Sequence, residues 1–181
     1  MGTLEESVES YRGLESHYAA LAQDVARVLN SFPEAGVKIH NVVHRAKSHD
    51  SFKEKCAKLS NDGAQKYDDP LTQITDLAGV RVIVFVPSSV DEVCEFIEEN
   101  FDVSEHRDVG EERFATGNFG YKSIHLLATM KKERTALPEF RHHRGLVCEI
   151  QVRTVLQHAW AEMEHDIRYG DYPIDTSMPN P

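Results

Sequence analysis

The chain has 181 residues, enough for one domain with a full core, and its 40% apolar and 28% charged content is that of a globular protein, not a disordered one. A formal net charge of −10 argues against non-specific binding to nucleic acid or anionic membrane, although a local basic patch can override that balance. Cys56, Cys94 and Cys148 are odd in number, far apart and set among apolar residues, so they read as reduced, buried thiols in a cytoplasmic protein and not as a disulfide framework or zinc knuckle.

No apolar run reaches membrane-spanning length, and no basic-plus-apolar signal segment opens the sequence. Residues 4–29 read as one amphipathic helix, with Leu4, Val8, Tyr11, Leu14, Tyr18, Leu21, Val25 and Val28 recurring at three and four. That stripe suits a sheet face, and a helical dimer interface would look the same. Ser31 to Gly36, with Pro33 inside it, ends the helix. Val37, Ile39, Asn41 and Val43 then alternate, as in a short extended element running to Lys47.

Here the charge balance reverses. Lys38, Arg45, Lys47, Lys53, Lys55 and Lys58 face only Asp50 and Glu54, which suggests an anion site, with phosphate the first candidate and nucleic-acid backbone the second. A solvated helix face with ordinary lysines is the plainer alternative. Ser48 or Asp50 can cap a helix starting near Ser51 and aim backbone N–H groups at the same place.

Residues 60–75 are polar and irregular, with turn signals at Gly63 and Asp69-Pro70. Val80 to Val86 is almost wholly apolar after Arg81, as in a central strand covered on both faces. Asp76 and Arg81 stand at its entrance, where they form either a structural pair or a metal ligand beside a phosphate clamp. Pro87 closes the strand and Ser89 can cap the next helix, whose Val90, Val93, Cys94 and Ile97 share a face. Strand followed by helix suggests an α/β or α+β layer fold.

Residues 101–120 read as a polar loop ending in TGNFGYKSIH, in which Tyr121, Lys122 and His125 precede a strand through Met130. The order is neither that of a P-loop nor that of a dinucleotide fingerprint. Tyr121, beside a glycine, either packs or stacks on a base, and Lys122 and His125 can meet phosphates. Residues 131–145 look like a basic hairpin-type connection with a mobile tip.

From Leu146 to Arg168 a strand runs straight into a helix. Cys148, Ile150 and Val152 point one way, and Glu149, Gln151 and Arg153 the other. Leu156, Trp160, Met163 and Ile167 form an apolar stripe that a sheet could bury. His158 and His165 are seven apart, not the four of a zincin helix, and no G-x-S-x-G elbow is present. Asp76 and Glu149, presented from neighbouring strands, are a more coherent pair: two carboxylates suited to Mg²⁺ and substrate phosphates, with basic residues opposite.

These stretches together resemble the synthetase domain of the RelA/SpoT family, in particular its small single-domain alarmone synthetases, over residues 37 to 170. RAKSHDSFKEK looks like the family's R-x-K-x-x-x-S-x-x-x-K, DLAGVR like D-I-A-G-I-R, GYKSIH like G-Y-R-S-x-H and EIQVRT like E-I-Q-I-R-T. Trp160, Ala161, Glu164 and His165 match W-A-x-x-E-H. The resemblance implies an α+β fold, a mixed five-stranded β-sheet flanked by helices and similar to nucleotidyltransferases, forming one domain over residues 1–181 with a short tail from 171.

It also implies pyrophosphoryl transfer from ATP to the 3′-hydroxyl of GDP or GTP, with Mg²⁺. Asp76 and Glu149 would be the catalytic and metal-binding carboxylates. Arg45, Lys47, Ser51, Lys55 and Arg81 would bind ATP. Tyr121, Lys122, His125, Gln151, Arg153, His158 and Glu164 would bind the acceptor. Two features depart from the pattern: DVGEERFATGNFG, before GYKSIH, has no lysine, and His158 stands where the family has an asparagine. Those departures keep a second acceptor class in view, tRNA 3′ ends or adenosine nucleotides, and behind it a nucleotide-binding domain without catalysis. Self-assembly and a neutralising partner protein are compatible with the resemblance.

Overall fold

The computed structural model describes residues 4–32, 38–60, 62–109 and 123–169. Five strands, β1 (Ile39–Ala46), β2 (Ala78–Val84), β3 (Phe101–Asp108), β4 (Ile124–Met130) and β5 (Cys148–Thr154), form one sheet in the order β1-β2-β5-β4-β3. β2 and β5 run parallel, and every other pair is antiparallel. This is the mixed α+β architecture expected from the sequence. The helices are α1 (Leu4–Asn30), α2 (His49–Cys56), α3 (Pro70–Gln73), α4 (Ser88–Asn100), α5 (Lys132–Thr135) and α6 (Val155–Tyr169), with a 3₁₀ turn over Pro138–His143. Among the described residues no helix is long and apolar enough to cross a membrane.

The period-2 alternation of β2, β4 and β5 gives the sheet one apolar and one polar face. Val80, Val82, Leu126, Ile150 and Val152 are buried on the apolar side. α1 packs against β1, β2 and β5, and α4 against β3 and β5. The 3.6-period stripe of α1 supplies Tyr11, Leu21, Ala22, Val25 and Leu29 to that core, so its expected role as a sheet cover is the observed one. Burying a side chain such as Leu21 contributes about 1.5–3 kcal/mol, which is why this helix and not local propensity holds the sheet's back. Cys56, Cys94 and Cys148 are buried thiols that form no disulfide.

Several local expectations are overturned. The strand read as Val80 to Val86 ends at Val84, and Phe85 and Val86 are exposed. Ser89 is not a cap: α4 starts at Ser88 after Pro87, and Ser89 is buried inside its first turn. The polar stretch after Asn100 is β3, an edge strand, missed because its wet edge and wet face leave only Phe101 and Val103 as apolar signals. The 131–145 connection is α5 and the 3₁₀ turn, not a hairpin, and it buries Thr135 and His143.

α6 differs most. Leu156, Trp160 and Met163 are exposed instead of packing on the sheet. The helix turns its partly buried Gln157, His158 and Ala161 inward, because the sheet face it meets is the polar one. Its start is held by a reciprocal cap in which Gln157 Oε1 accepts from Thr154 N at 2.5 Å and Thr154 Oγ1 accepts from Gln157 N at 3.3 Å.

Candidate active site

Three side-chain clusters line the polar face. The first is built where β1 hands over to α2. Lys47 directly follows β1, and its backbone N–H donates to Leu77 O at 2.9 Å. Ser48 caps α2 by accepting from Ser51 N at 3.3 Å, which makes it, and not Asp50, the capping residue. Lys55, in the last turn of α2, comes back toward Lys47. Both ammonium groups meet Asp76, Lys47 Nζ at 2.8 Å from Oδ2 and Lys55 Nζ at 2.9 Å from Oδ1. Burial pushes the Asp76 carboxyl up, but the hydrogen bonds and charges of the two lysines outweigh it and hold the group below the ordinary carboxylate range.

The second cluster sits on β5 and β4. Glu149 lies opposite Gly79 of β2 in the parallel ladder, so Asp76, two residues before β2, belongs to the adjacent strand's entrance. Gln151 Nε2 donates to Glu149 Oε1 at 2.8 Å, and His125 Nδ1 stands 2.9 Å from the same oxygen. Burial and the negative charge of Asp76 both push the Glu149 carboxyl up. The contacts from His125 and Gln151 prevail and hold it low. Two ionised carboxylates that feel each other in a half-buried site favour a cation between them.

The third cluster joins the sheet to α6. Arg81 Nη1 is 2.9 Å from Glu162 Oε1, and His158 Nδ1 is 3.6 Å from that oxygen. Arg153 Nε donates to Ser123 Oγ at 2.9 Å. Burial, then Arg81, Arg153 and His40, depress the His158 imidazole below its usual value, with Glu162 opposing, so the ring is neutral at neutral pH.

Four buried side-chain atoms of this face have no hydrogen-bond partner among the described residues: Arg81 Nε, His125 Nε2, Gln151 Oε1 and His158 Nδ1. An orphaned buried polar atom costs about 1–3 kcal/mol. A polar ligand seated on the face would satisfy such groups.

The expected site residues are thus largely brought together. Asp76, Lys47 and Lys55 form one group, Glu149, His125 and Gln151 the next, and Arg81, Arg153 and His158 the last. Arg81 pairs with Glu162, not with Asp76 as their shared strand entrance suggested. Ser51 is exposed and its hydroxyl accepts from Ser48 Oγ at 3.0 Å, while Arg45 is exposed near the end of β1. Tyr121 and Lys122, and the side chain of Glu164, lie outside the described residues.

Sequence reasoning passed over Tyr11 and Glu162 as supports. Tyr11 donates to Lys47 O at 2.5 Å and stacks on Phe52 at 4.3 Å between ring centroids. A phenol in the middle of an apolar helical stripe was the available signal, since its hydroxyl needs a partner when buried. Glu162, four residues after His158 on a helix, was the other.

Residues 44–173 match the family model described as the region found in RelA / SpoT proteins. The chain is 30% identical over 132 residues to the GTP pyrophosphokinase YwaC of Bacillus subtilis (strain 168), an alignment covering 72% of this chain and 60% of that relative. The small alarmone synthetase 1 of Bacillus subtilis has the same fold, with a TM-score of 0.67 at 24% identity, over 91% of this chain and 83% of that one. A structure of small alarmone synthetase 1 bound to its product pppGpp matches at 25% identity and a TM-score of 0.59, covering 90% of this chain and 79% of the other.

Proposed function

Because the chain belongs to the RelA/SpoT family, we propose that it is an ATP-dependent pyrophosphokinase that transfers the β,γ-pyrophosphoryl group to the 3′-hydroxyl of GDP or GTP. The observation that carries this reading is the placing of two half-buried carboxylates, one at the entrance of β2 and one on the adjacent β5, Asp76 held by two lysines and Glu149 by His125 and Gln151. The relative named a GTP pyrophosphokinase and the neighbour bound to pppGpp support guanosine as the acceptor.

In this reading the acceptor hydroxyl attacks the β-phosphorus, the bond from that phosphorus to the α-phosphate oxygen breaks, and AMP leaves. Glu149 accepts a hydrogen bond from the hydroxyl and takes its proton as the new bond forms. A carboxylate held low is a weak proton acceptor, so orienting the oxygen is its first contribution and proton removal comes late. Lys47 and Lys55 supply positive charge to the phosphates. Both are engaged with Asp76 in the free protein, so a polyphosphate draws them off that carboxylate and releases its oxygens.

Asp76 and Glu149 form a hard-oxygen donor set that fits Mg²⁺, and their mutual repulsion on Glu149 is what a divalent ion would relieve. Bound there, Mg²⁺ would neutralise phosphate charge and orient the triphosphate. His125 Nε2, Gln151 Oε1 and His158 Nδ1, buried without a hydrogen-bond partner among the described residues, are the atoms with which this face would hold the acceptor.

The test is incubation with ATP, Mg²⁺ and GDP or GTP, following AMP, with parallel ADP and tRNA arms. AMP together with a 3′-pyrophosphorylated guanosine product is the expected result. No AMP release with either guanosine nucleotide overturns the reading, and transfer in the ADP or tRNA arm alone moves the acceptor class.

A further inference from the structure

We propose that Asp24, His142 and His143 form a second metal site, specific for a borderline divalent ion of the zinc class, which pins the 3₁₀ turn to α1. One nitrogen from each histidine and one carboxylate oxygen of Asp24 lie within 4.8 Å of one another. Two imidazoles and one carboxylate are the donor set of zinc-class ions and not of magnesium or calcium, which take oxygen ligands. The site is independent of the pyrophosphokinase reading. Asp24 lies thirteen residues along α1 from Tyr11, roughly 20 Å at helical rise.

The geometry is that of a closed metal-free site. His143 Nε2 stands 2.8 Å from Asp24 Oδ2, and the His142 and His143 rings are 3.9 Å apart between centroids, tilted by 48°. Ligand atoms about 2.0–2.2 Å from one tetrahedral zinc ion are roughly 3.3 Å apart, so the first pair must open by about half an ångström to admit it. His142 is exposed and can swing on its side-chain torsions, which supplies both an entry path and a position open to water.

His143 is fully buried, and its Nδ1 has no hydrogen-bond partner among the described residues. The ion would take the other nitrogen, Nε2, which already faces Asp24 Oδ2. Arg27 Nη1 is 2.6 Å from Asp24 Oδ1 and fixes that oxygen, leaving Oδ2 turned toward the histidine. Its positive charge opposes a cation, but the side chain is 67% exposed, so water screens it and it is free to move off.

The ion would cross-link two segments 119 residues apart in sequence, α1 and the connection between β4 and β5. The plainer occupant of the same geometry is an Asp24–His143 ion pair with no metal, and the experiment separates the two.

Full-length protein freed of metal by a chelator is titrated with Zn²⁺ against a chromophoric competitor, with millimolar Mg²⁺ present, and with Co²⁺ in a parallel visible-absorption titration. One ion per chain, cobalt bands of a four- or five-coordinate site and a rise in Tm of roughly 5 °C at hundredfold excess over the dissociation constant are expected. H142A removes an exposed side chain and leaves the fold intact. It should weaken zinc binding at least tenfold, as should D24N. The D76N/E149Q double variant should bind zinc as the wild type does. Zinc affinity unchanged in H142A, binding abolished by D76N/E149Q, or no binding at micromolar zinc each overturns the proposal, the last leaving the ion pair as the whole account.

Discussion

His125, whose direct partner across the β4–β5 ladder is Gln151, reaches diagonally to Glu149, with Nδ1 2.9 Å from Oε1. That contact and the Gln151 amide keep the carboxylate ionised although burial and Asp76 both work to protonate it. Glu149 therefore depends on a neighbour for its charge state.

Replacing His125 with Ala removes one of the influences that lower the Glu149 carboxyl and leaves those that raise it. The acidic limb of the kcat/KM profile should move to higher pH, and kcat at neutral pH should fall roughly ten- to a hundredfold. A pH–rate profile checks this; an unshifted limb would assign His125 to acceptor contact only.

Glu149→Gln preserves shape and removes the proton acceptor. Turnover should drop by about 10²–10⁴, with ATP affinity falling far less, because in the proposed reading Lys47 and Lys55 meet the triphosphate and Asp76 still offers its oxygens to Mg²⁺. Steady-state kinetics beside calorimetric ATP binding separate the two quantities. K55M should show the reverse balance, with weaker ATP binding as the main effect.

Asp76 and Glu149 both have folded-state pKa values below their unfolded ones. The stability they contribute is fully present above the unfolded values of about 4 and is lost as pH falls through the folded ones. The urea midpoint of the wild type should fall as acid is added below about pH 4. In D76N that fall should be shallower, while the variant is already less stable at pH 7 by about 1–3 kcal/mol, since two partly buried ammonium groups face each other without their anion.

Tyr11→Phe deletes one hydrogen bond and keeps the ring on Phe52. It should cost about 1 kcal/mol and loosen the Lys47 backbone, raising the KM for ATP more than it lowers kcat. Tyr11→Ala should cost about 3–5 kcal/mol by opening a cavity. Chemical denaturation of both variants measures the difference.

Most of this site was legible because each element carries its own period. The alternation of β5 separated Glu149 and Gln151 from Ile150 and Val152, and Ser48 announced α2. What could not be read was which partner a charge would choose. Arg81 and Asp76 share a strand entrance, yet the first reaches Glu162, 81 residues away, and the second reaches Lys47 and Lys55. The stripe on α6 was real as a periodicity but says only that one face is apolar, not that a surface lies against it. β3 failed for the opposite reason: an edge strand has little to bury and so writes almost no pattern.

α1 precedes the region matched by the family model, which begins at residue 44. Yet its Tyr11 grips Lys47, and its Leu21, Val25 and Leu29 are 1% exposed or less because they close the back of the sheet. The recognisable unit is thus smaller than the foldable one. A fragment cut at the matched boundary would lose the first five residues of β1 along with the helix, and would present a bare hydrophobic sheet to solvent. Its failure to act would report on where the scissors fell and nothing about the chemistry.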